Sequence, residues 1–328
     1  MTNKLVIVTG ANGFVGSHLV DRLLQRGYSV RCIVRKSSNL QWLTGKSVDF
    51  VYAGLDDVRT LQTAFAQAEL IFHIAGVVKS SNYDGFIAGN VTTTQCVLQA
   101  ASSTNTLKHL IITSSLAAHG PNPIGKPSEE ASSPQPISEY GRSKHAQEQL
   151  VASYNDRLPV TIIRPPAVYG ERDTEVLLFF KTVQKGVFPS MIKEQTLSMV
   201  HVSDLVTGMI QAAESEKAIG QTYFLSSQPA EYSQSFVAKT IAKGLNKRFI
   251  HLRLPYFIIY LAAAVSEFLA FFTKKTPALN LKKLDELKQD SWACSSAKAT
   301  ADFGYQPQIS LEKGVAQTIE WYQKQGWL

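Results

Sequence analysis

The run Val6-Ile-Val-Thr-Gly-Ala-Asn-Gly-Phe-Val-Gly16 constrains this chain more than any other stretch. Its first residues are apolar or β-branched and read as a buried strand. The spacing Gly10-x-x-Gly13-x-x-Gly16 then opens an amphipathic segment, Phe14 to Arg26. The order is strand, glycine turn, helix. Glycines permit a tight turn and let backbone approach a pyrophosphate. The unpaired N–H groups and dipole of the helix N-terminus favour negative charge there. Gly10, Asn12, Gly13, Phe14, Val15 and Gly16 are therefore candidate dinucleotide-binding residues.

The 328 residues suggest one large domain or two unequal ones, and 45% hydrophobic content excludes a disordered chain. Only Met1 to Asn3 precede the first strand, so no signal peptide is expected. Cys32, Cys96 and Cys294 are scattered, with neither disulfide framework nor metal-ligand spacing, so no metal is expected. A reduced, cytoplasmic compartment follows. The net charge of +7 suits an anionic cofactor or a membrane surface. Nothing else resembles a nucleic-acid module, so no nucleic-acid partner is expected.

Candidate strands are 4–9, 29–34, 49–53, 70–74, 109–114 and 159–164, with helical patterns between most of them, including 58–67 and 89–103. Alternation of this kind predicts an α/β fold, a doubly wound parallel sheet with helices on both faces. Gly27 sits where a helix C-cap glycine belongs. Residues 120–136 read as a long loop, functional or mobile. A helix follows at 175–185, then a strand at 197–202, a helix at 203–214 and a last strand at 222–225 returning to the sheet. From Ala230 onward the chain reads as mostly helical. The expected division is a dinucleotide-binding domain over 1–165, with 200–228 returning to it. A smaller, mostly helical substrate region covers 166–199 and 229–328.

The stretch 255–272 is apolar apart from Ser266 and Glu267, and Lys274, Lys275, Lys282 and Lys283 follow it. It reads as a buried helix capping a pocket, as an interfacial helix beside a basic patch, or as a span. A mid-segment carboxylate disfavours the span.

Tyr140-Gly-Arg-Ser-Lys144 puts Tyr140 and Lys144 on one helix face. A lysine ammonium stabilises a nearby phenolate, so the Tyr140 pKa is expected to fall toward neutral for acid–base work. Upstream, His109–Ser115 reads as a buried strand ending in hydroxyls at the ligand crevice. Ser115 is placed to hold a substrate oxygen whose proton Tyr140 handles, and Lys144 to reach the cofactor ribose.

These motifs resemble the extended short-chain dehydrogenases/reductases, the NAD-dependent epimerase/dehydratase family. Further matching segments are Ile71–Gly76, Asn90–Thr94, Arg164–Gly170, His201–Asp204 and Phe303–Tyr322. The resemblance implies a Rossmann fold with Ser115, Tyr140 and Lys144 as catalytic triad. It also implies backbone contact with the cofactor around Ala75–Gly76 and from Pro165 to Val168, with Leu55 and Thr113 as further contacts. Asn90 matches a helix position that is more structural than chemical. By analogy with the family, a homodimer forms through helices near 89–103 and 140–154.

An NAD enzyme places Asp or Glu about 20 residues past the glycines, on the ribose 2′-hydroxyl. Here Arg35 stands 19 positions past Gly16. A guanidinium pairs with a 2′-phosphate, so NADP(H) is expected over NAD(H). The other reading of Arg35 is stacking on adenine with little discrimination. Against the family pattern, Leu116-Ala117 replaces the acid pair of the 4,6-dehydratases. Leu197 stands where nucleotide-sugar epimerases carry a diphosphate-gripping arginine. His119 replaces a tyrosine, as proton relay or polar wall. Gly54 replaces an adenine-binding aspartate, with Asp56 a candidate substitute. Val77, Val78, Tyr169, Phe179, Phe180 and Met191 are candidates for an apolar pocket or for plain core.

The closest branch by these features is that of dihydroflavonol reductases and 3β-hydroxysteroid dehydrogenase-like proteins. The leading expectation is an NADP(H)-dependent oxidoreductase of an apolar or aromatic carbonyl or alcohol. The alternatives are a sugar or nucleotide-sugar epimerase with tightly held NAD, and a non-catalytic dinucleotide-binding sensor. Peripheral membrane contact through 255–272 is a further expectation.

Overall fold

A computed structural model describes residues 4–191, 194–261, 264–265 and 281–328. Seven strands build the main sheet: β1 Leu5–Thr9, β2 Ser29–Val34, β3 Val48–Tyr52, β4 Leu70–His73, β5 His109–Thr113, β6 Val160–Arg164 and β7 Thr222–Phe224. Their order is β7-β6-β5-β4-β1-β2-β3, with every pair parallel. Strand order reverses between β1 and β4, so the ligand crevice opens at their C-terminal ends.

The strands are uninterrupted apolar runs because both sheet faces are covered. Val6, Ile7 and Val8 are fully buried. Val6 and Val8 join one core with helices α1 (Phe14–Gln25) and α5 (Val202–Ala213). Ile7 joins the opposite core with α2 (Val58–Phe65), α3 (Thr93–Ala101) and α4 (Glu139–Ala152). The helix α1 buries Leu19, Val20 and Leu23 on one stripe. It ends as its sequence predicts. Gly27 takes φ +78°, its N–H donates to Leu24 O, and Tyr28 N–H donates to Leu23 O. This double closure satisfies the last carbonyls.

Four expectations change. The helix expected from 89 begins as a short turn at Tyr83–Phe86 and runs through a π-helical segment, Ile87–Thr92, before α3. The strand expected at 197–202 splits into Thr196–Leu197 and Met199–His201, which pair in different small sheets, and Val202 already begins α5. The region after Ala230 also holds strands, including Ile250–Leu254, which pairs in parallel with Val187–Met191. The loop 120–136 is tied down: Asn122 N–H donates to Ser291 O, and Ser128 N–H to Ala293 O.

Much of the segment 255–272 lies outside the described residues. Its described part is helical at 256–261, and Phe257, Tyr260 and Leu261 are exposed, so burial against a pocket does not hold there. No helix among the described residues is long and apolar enough to cross a membrane.

A buried polar chain crosses the interior. Thr94 Oγ1 donates to Asn90 O, so it accepts from His73 Nε2 and from Gln147 Nε2. His73 Nδ1 then accepts from Thr9 Oγ1 at 2.8 Å. This bonding fixes a neutral tautomer. Burial, followed by the Lys144 charge, holds His73 down at about 3, and burial holds His109 at about 4. In the unfolded chain both titrate near ~6.5. Below that pH the unfolded state binds protons that the folded state refuses. Stability is therefore full above ~6.5 and falls on acidification, by at most about 1.4 kcal/mol per pH unit for each histidine. Urea midpoints at about pH 7.5 and about pH 5 should separate in that direction; identical midpoints contradict neutral buried histidines.

Candidate active site

The glycine turn after β1 is built around contacts no other residue allows. Gly10 has φ +69°, and a Cβ on it would lie 2.7 Å from Ala75 N. A Cβ on Gly16 would lie 2.1 Å from Gly10 O. The α1 N-terminus therefore packs directly on the turn, and the turn on the chain leaving β4. Gly13 caps α1 with no side-chain hydrogen bond, and it is exposed. The first N–H groups of α1 thus face an open cradle, which fits a dinucleotide pyrophosphate. Asn12, Phe14 and Val15 are half-buried around it.

The exit of β4 is held from behind. Asn90, fully buried in the π-helical segment, accepts from Val77 N–H at 2.7 Å and donates to Val77 O at 3.0 Å. It also donates to Ser143 Oγ on α4 at 2.9 Å. A Cβ on Gly76 would lie 3.0 Å from Asn90 Oδ1 and 3.6 Å from Lys144 Nζ. Asn90 thus ties the β4 exit to α4.

The helix α4 begins where Ser138 Oγ accepts from Gly141 N–H. Its inner face carries Tyr140, Lys144 and Glu148. The Tyr140 phenol lies near the Ser115 hydroxyl, which favours its ionised form. Ser115 also accepts from Ala117 N–H, capping the short helix Leu116–His119. Lys144 is 4% exposed and donates to Thr113 O at 2.6 Å. The three side chains expected to act together are therefore brought together at the end of β5.

Their ionisation differs from expectation. Burial pushes Tyr140 up to about 12, while the nearby Ser115 hydroxyl works against it. Burial pushes Lys144 down to about 7, opposed by the Glu148 carboxylate. The Lys144 ammonium is bound to a backbone carbonyl, so the expected fall of the phenol toward neutral is absent from this state.

Arg35 is exposed just past β2, with its N–H on Ser38 Oγ. Leu55 is half-buried beyond β3. Asp56 folds over Gly54, its Oδ1 2.2 Å from where a Cβ would stand, so its carboxylate fills the space of the missing side chain. Pro165 O accepts from Leu116 N–H, and Val168 is half-buried. Tyr169 and Phe180 are core residues of the smaller lobe, whereas Val78 is exposed. His119 bonds Ser132 through Nε2 and packs on Phe224, as a wall residue.

Sequence reasoning missed Glu148 and Arg164. Their side chains, both 7% exposed, form a two-pronged ion pair at 2.8 and 2.7 Å, and Ser114 Oγ also donates to Glu148. The available signal was spacing, since Glu148 follows Lys144 by one helical turn. No cluster of metal-ligating side chains occurs among the described residues.

Comparison with known proteins adds an independent finding. The pattern of the NAD dependent epimerase/dehydratase family matches residues 6–225. The chain is 28% identical to a ceramide reductase of Caulobacter vibrioides, covering 99% of this chain and 96% of that protein. It is 27% identical to 3 beta-hydroxysteroid dehydrogenase type 7 of Mus musculus, covering 97% and 95%. The solved structure of gox2253 superposes with a TM-score of 0.83 at 26% identity, covering 99% of this chain and 100% of that one.

A lysine held at about 7 in the crevice expected to take a dinucleotide would link proton uptake to its binding. A bound dinucleotide favours the ammonium, so binding above pH ~7 should take up a proton and weaken as pH rises. Calorimetry in buffers of different ionisation enthalpy reads this uptake. Lys144→Met should abolish it; equal uptake in both proteins removes Lys144 as its source.

Proposed function

The chain belongs to the NAD dependent epimerase/dehydratase family, and on that premise we propose that it is an NADP(H)-dependent oxidoreductase acting on an apolar or aromatic carbonyl or alcohol. The observation that carries the proposal is the Tyr140–Ser115 hydroxyl pair with Lys144 one turn further along α4. The open glycine cradle supports a dinucleotide. Leu116-Ala117 offers no acid or base for elimination, and Leu197 offers no cation for a diphosphate. The relatives named for ceramide and for a hydroxysteroid support an apolar substrate. Such a substrate partitions into lipid, and peripheral membrane contact belongs to this reading.

When bound, the dinucleotide supplies or accepts the hydride. In this reading Ser115 Oγ orients the substrate oxygen by hydrogen bonding. Tyr140 Oη keeps its proton at neutral pH and gives it to that oxygen during reduction, or takes it back during oxidation. Lys144 holds the ribose and, once charged, lowers the energy of the phenolate left behind. Asn90 keeps Val77 and the floor of the site in place.

Arg35 is assigned to the 2′-phosphate, because no acidic residue stands at the end of β2 and its guanidinium is exposed. A charged hydrogen bond of that kind contributes about 1.5–3 kcal/mol. Arg35→Asp should weaken NADPH binding by about tenfold or more and leave NADH binding unchanged or improved. An unaltered NADPH:NADH ratio in a binding titration rejects the assignment.

The defining experiment follows NADPH absorbance with a panel of aromatic and steroidal ketones. Tyr140→Phe should lower kcat by about 10²–10⁴-fold while keeping dinucleotide affinity. Retained activity in this variant excludes Tyr140 as the proton carrier. Tightly held NAD without net turnover favours epimerisation instead.

A further inference from the structure

The smaller lobe carries a surface that the site does not use. Strands Val187–Met191 and Ile250–Leu254 pair in parallel, with Ile250 beside Val187 and Leu252 beside Pro189. Side chains alternate across such a ribbon. One face turns inward, where Phe188, 4% exposed, packs on His251 with 4.9 Å between ring centres. The opposite face presents Val187, Pro189, Ile250 and Leu252, all exposed, Ile250 at 70%. The chain continues into helical residues 256–261, where Phe257 and Leu261, one turn apart, are 68% and 62% exposed. A ribbon facing water alternates apolar-in with polar-out. Here the face of Val187, Pro189, Ile250 and Leu252 is apolar and exposed, while Ser190, His251 and Arg253 share the other face with Phe188.

Charge selects the occupant. Residues 178–191 and 234–261 contain seven Lys or Arg and no Asp or Glu, as many positive charges as the net +7 of the whole chain. Because the two strands run parallel, their entry ends lie together. Lys185 precedes one, Lys247 and Arg248 precede the other, and all three are exposed. None of the three pairs with a carboxylate among the described residues. We propose that this face docks on an anionic lipid bilayer. Apolar side chains enter the boundary of the acyl region while Lys and Arg meet the headgroups. A second copy of the chain fits poorly, because two faces of one sign would oppose each other. The homodimer expected through helices near 89–103 and 140–154 would leave this face free.

The surface borders the site. Lys288 Nζ lies 4.5 Å from the Tyr256 ring centre, and Lys288 follows helix Leu281–Leu287, whose Glu286 charge acts on Tyr140. Docking there places the site at the membrane, where a lipid-dissolved carbonyl resides. That purpose rests on the apolar-substrate reading; the docking itself does not.

Sedimentation of the full chain with vesicles tests the proposal, using phosphatidylcholine alone or with about one-third phosphatidylglycerol. The expected result is binding to anionic vesicles, weak binding to neutral ones, and release by salt. Lys247→Ala with Arg248→Ala should weaken partition about 25-fold, roughly fivefold per charge. Ile250→Asp with Leu252→Asp should abolish binding while dinucleotide affinity stays intact; if that pair does not fold, Ile250→Ser and Leu252→Ser serve instead. Equal binding to neutral vesicles, or binding unchanged in the ribbon variants, overturns the proposal. So does a dimer that dissociates in those variants. Docking without ketone turnover would reject only the function proposed above, and turnover without docking would reject only this surface.

Discussion

The buried Glu148–Arg164 ion pair is the constraint on which the rest of the site depends. It locks α4 against β6 at the depth of the sheet, with Ser114 of the β5 exit as a further donor. Two charges so buried are costly unless both stay paired, and removing one leaves the other stranded at a cost of about 3–5 kcal/mol. The helix therefore has one seating. Its inner face is Tyr140, Lys144, Glu148 and Val151, each a helical turn or so beyond the last. With Glu148 fixed on β6, Lys144 falls on the Thr113 carbonyl and Tyr140 on Ser115. The carboxylate also opposes the effect of burial on the Lys144 ammonium.

A second network performs the same service on the dinucleotide side. Thr9, His73, Thr94 and Gln147 form a fully buried chain from β1 through β4 and α3 to α4. Asn90 joins it at one end, since its carbonyl accepts from Thr94, and its side chain grips Val77 and Ser143. The π-helical turn is what brings Asn90 to bear on both; irregular turns of this type recur at functional sites. The glycine turn, the β4 exit and the reactive helix are thus joined by buried hydrogen bonds in a low-dielectric interior, with only Gln147 Oε1 of that chain left without a partner.

Burial in that interior also sets the proton inventory. Desolvation disfavours the phenolate at Tyr140 and the ammonium at Lys144 alike. Burial thus favours the neutral form of both groups, with the Glu148 carboxylate opposing it at Lys144. The expectation of an acidified tyrosine treated Lys144 as a permanent charge, whereas its burial holds it at about 7.

The sequence alone determined the parallel sheet, the glycine turn and the shared helix face of Tyr140 and Lys144, because each is encoded locally. Apolar runs mark strands buried on both faces, glycine spacing marks a turn with no room for Cβ, and four-residue spacing marks one helix face. Only the tertiary structure decided the pairing of Glu148 with Arg164, the Thr9–His73–Thr94 chain, the place of Asp56 over Gly54 and the apolar ribbon of 187–191 with 250–254. Those features join residues from 2 to 64 positions apart, so their partners are set by how elements pack. The titration of Tyr140 and Lys144 belongs with them, since desolvation is a property of surroundings that exist only after folding.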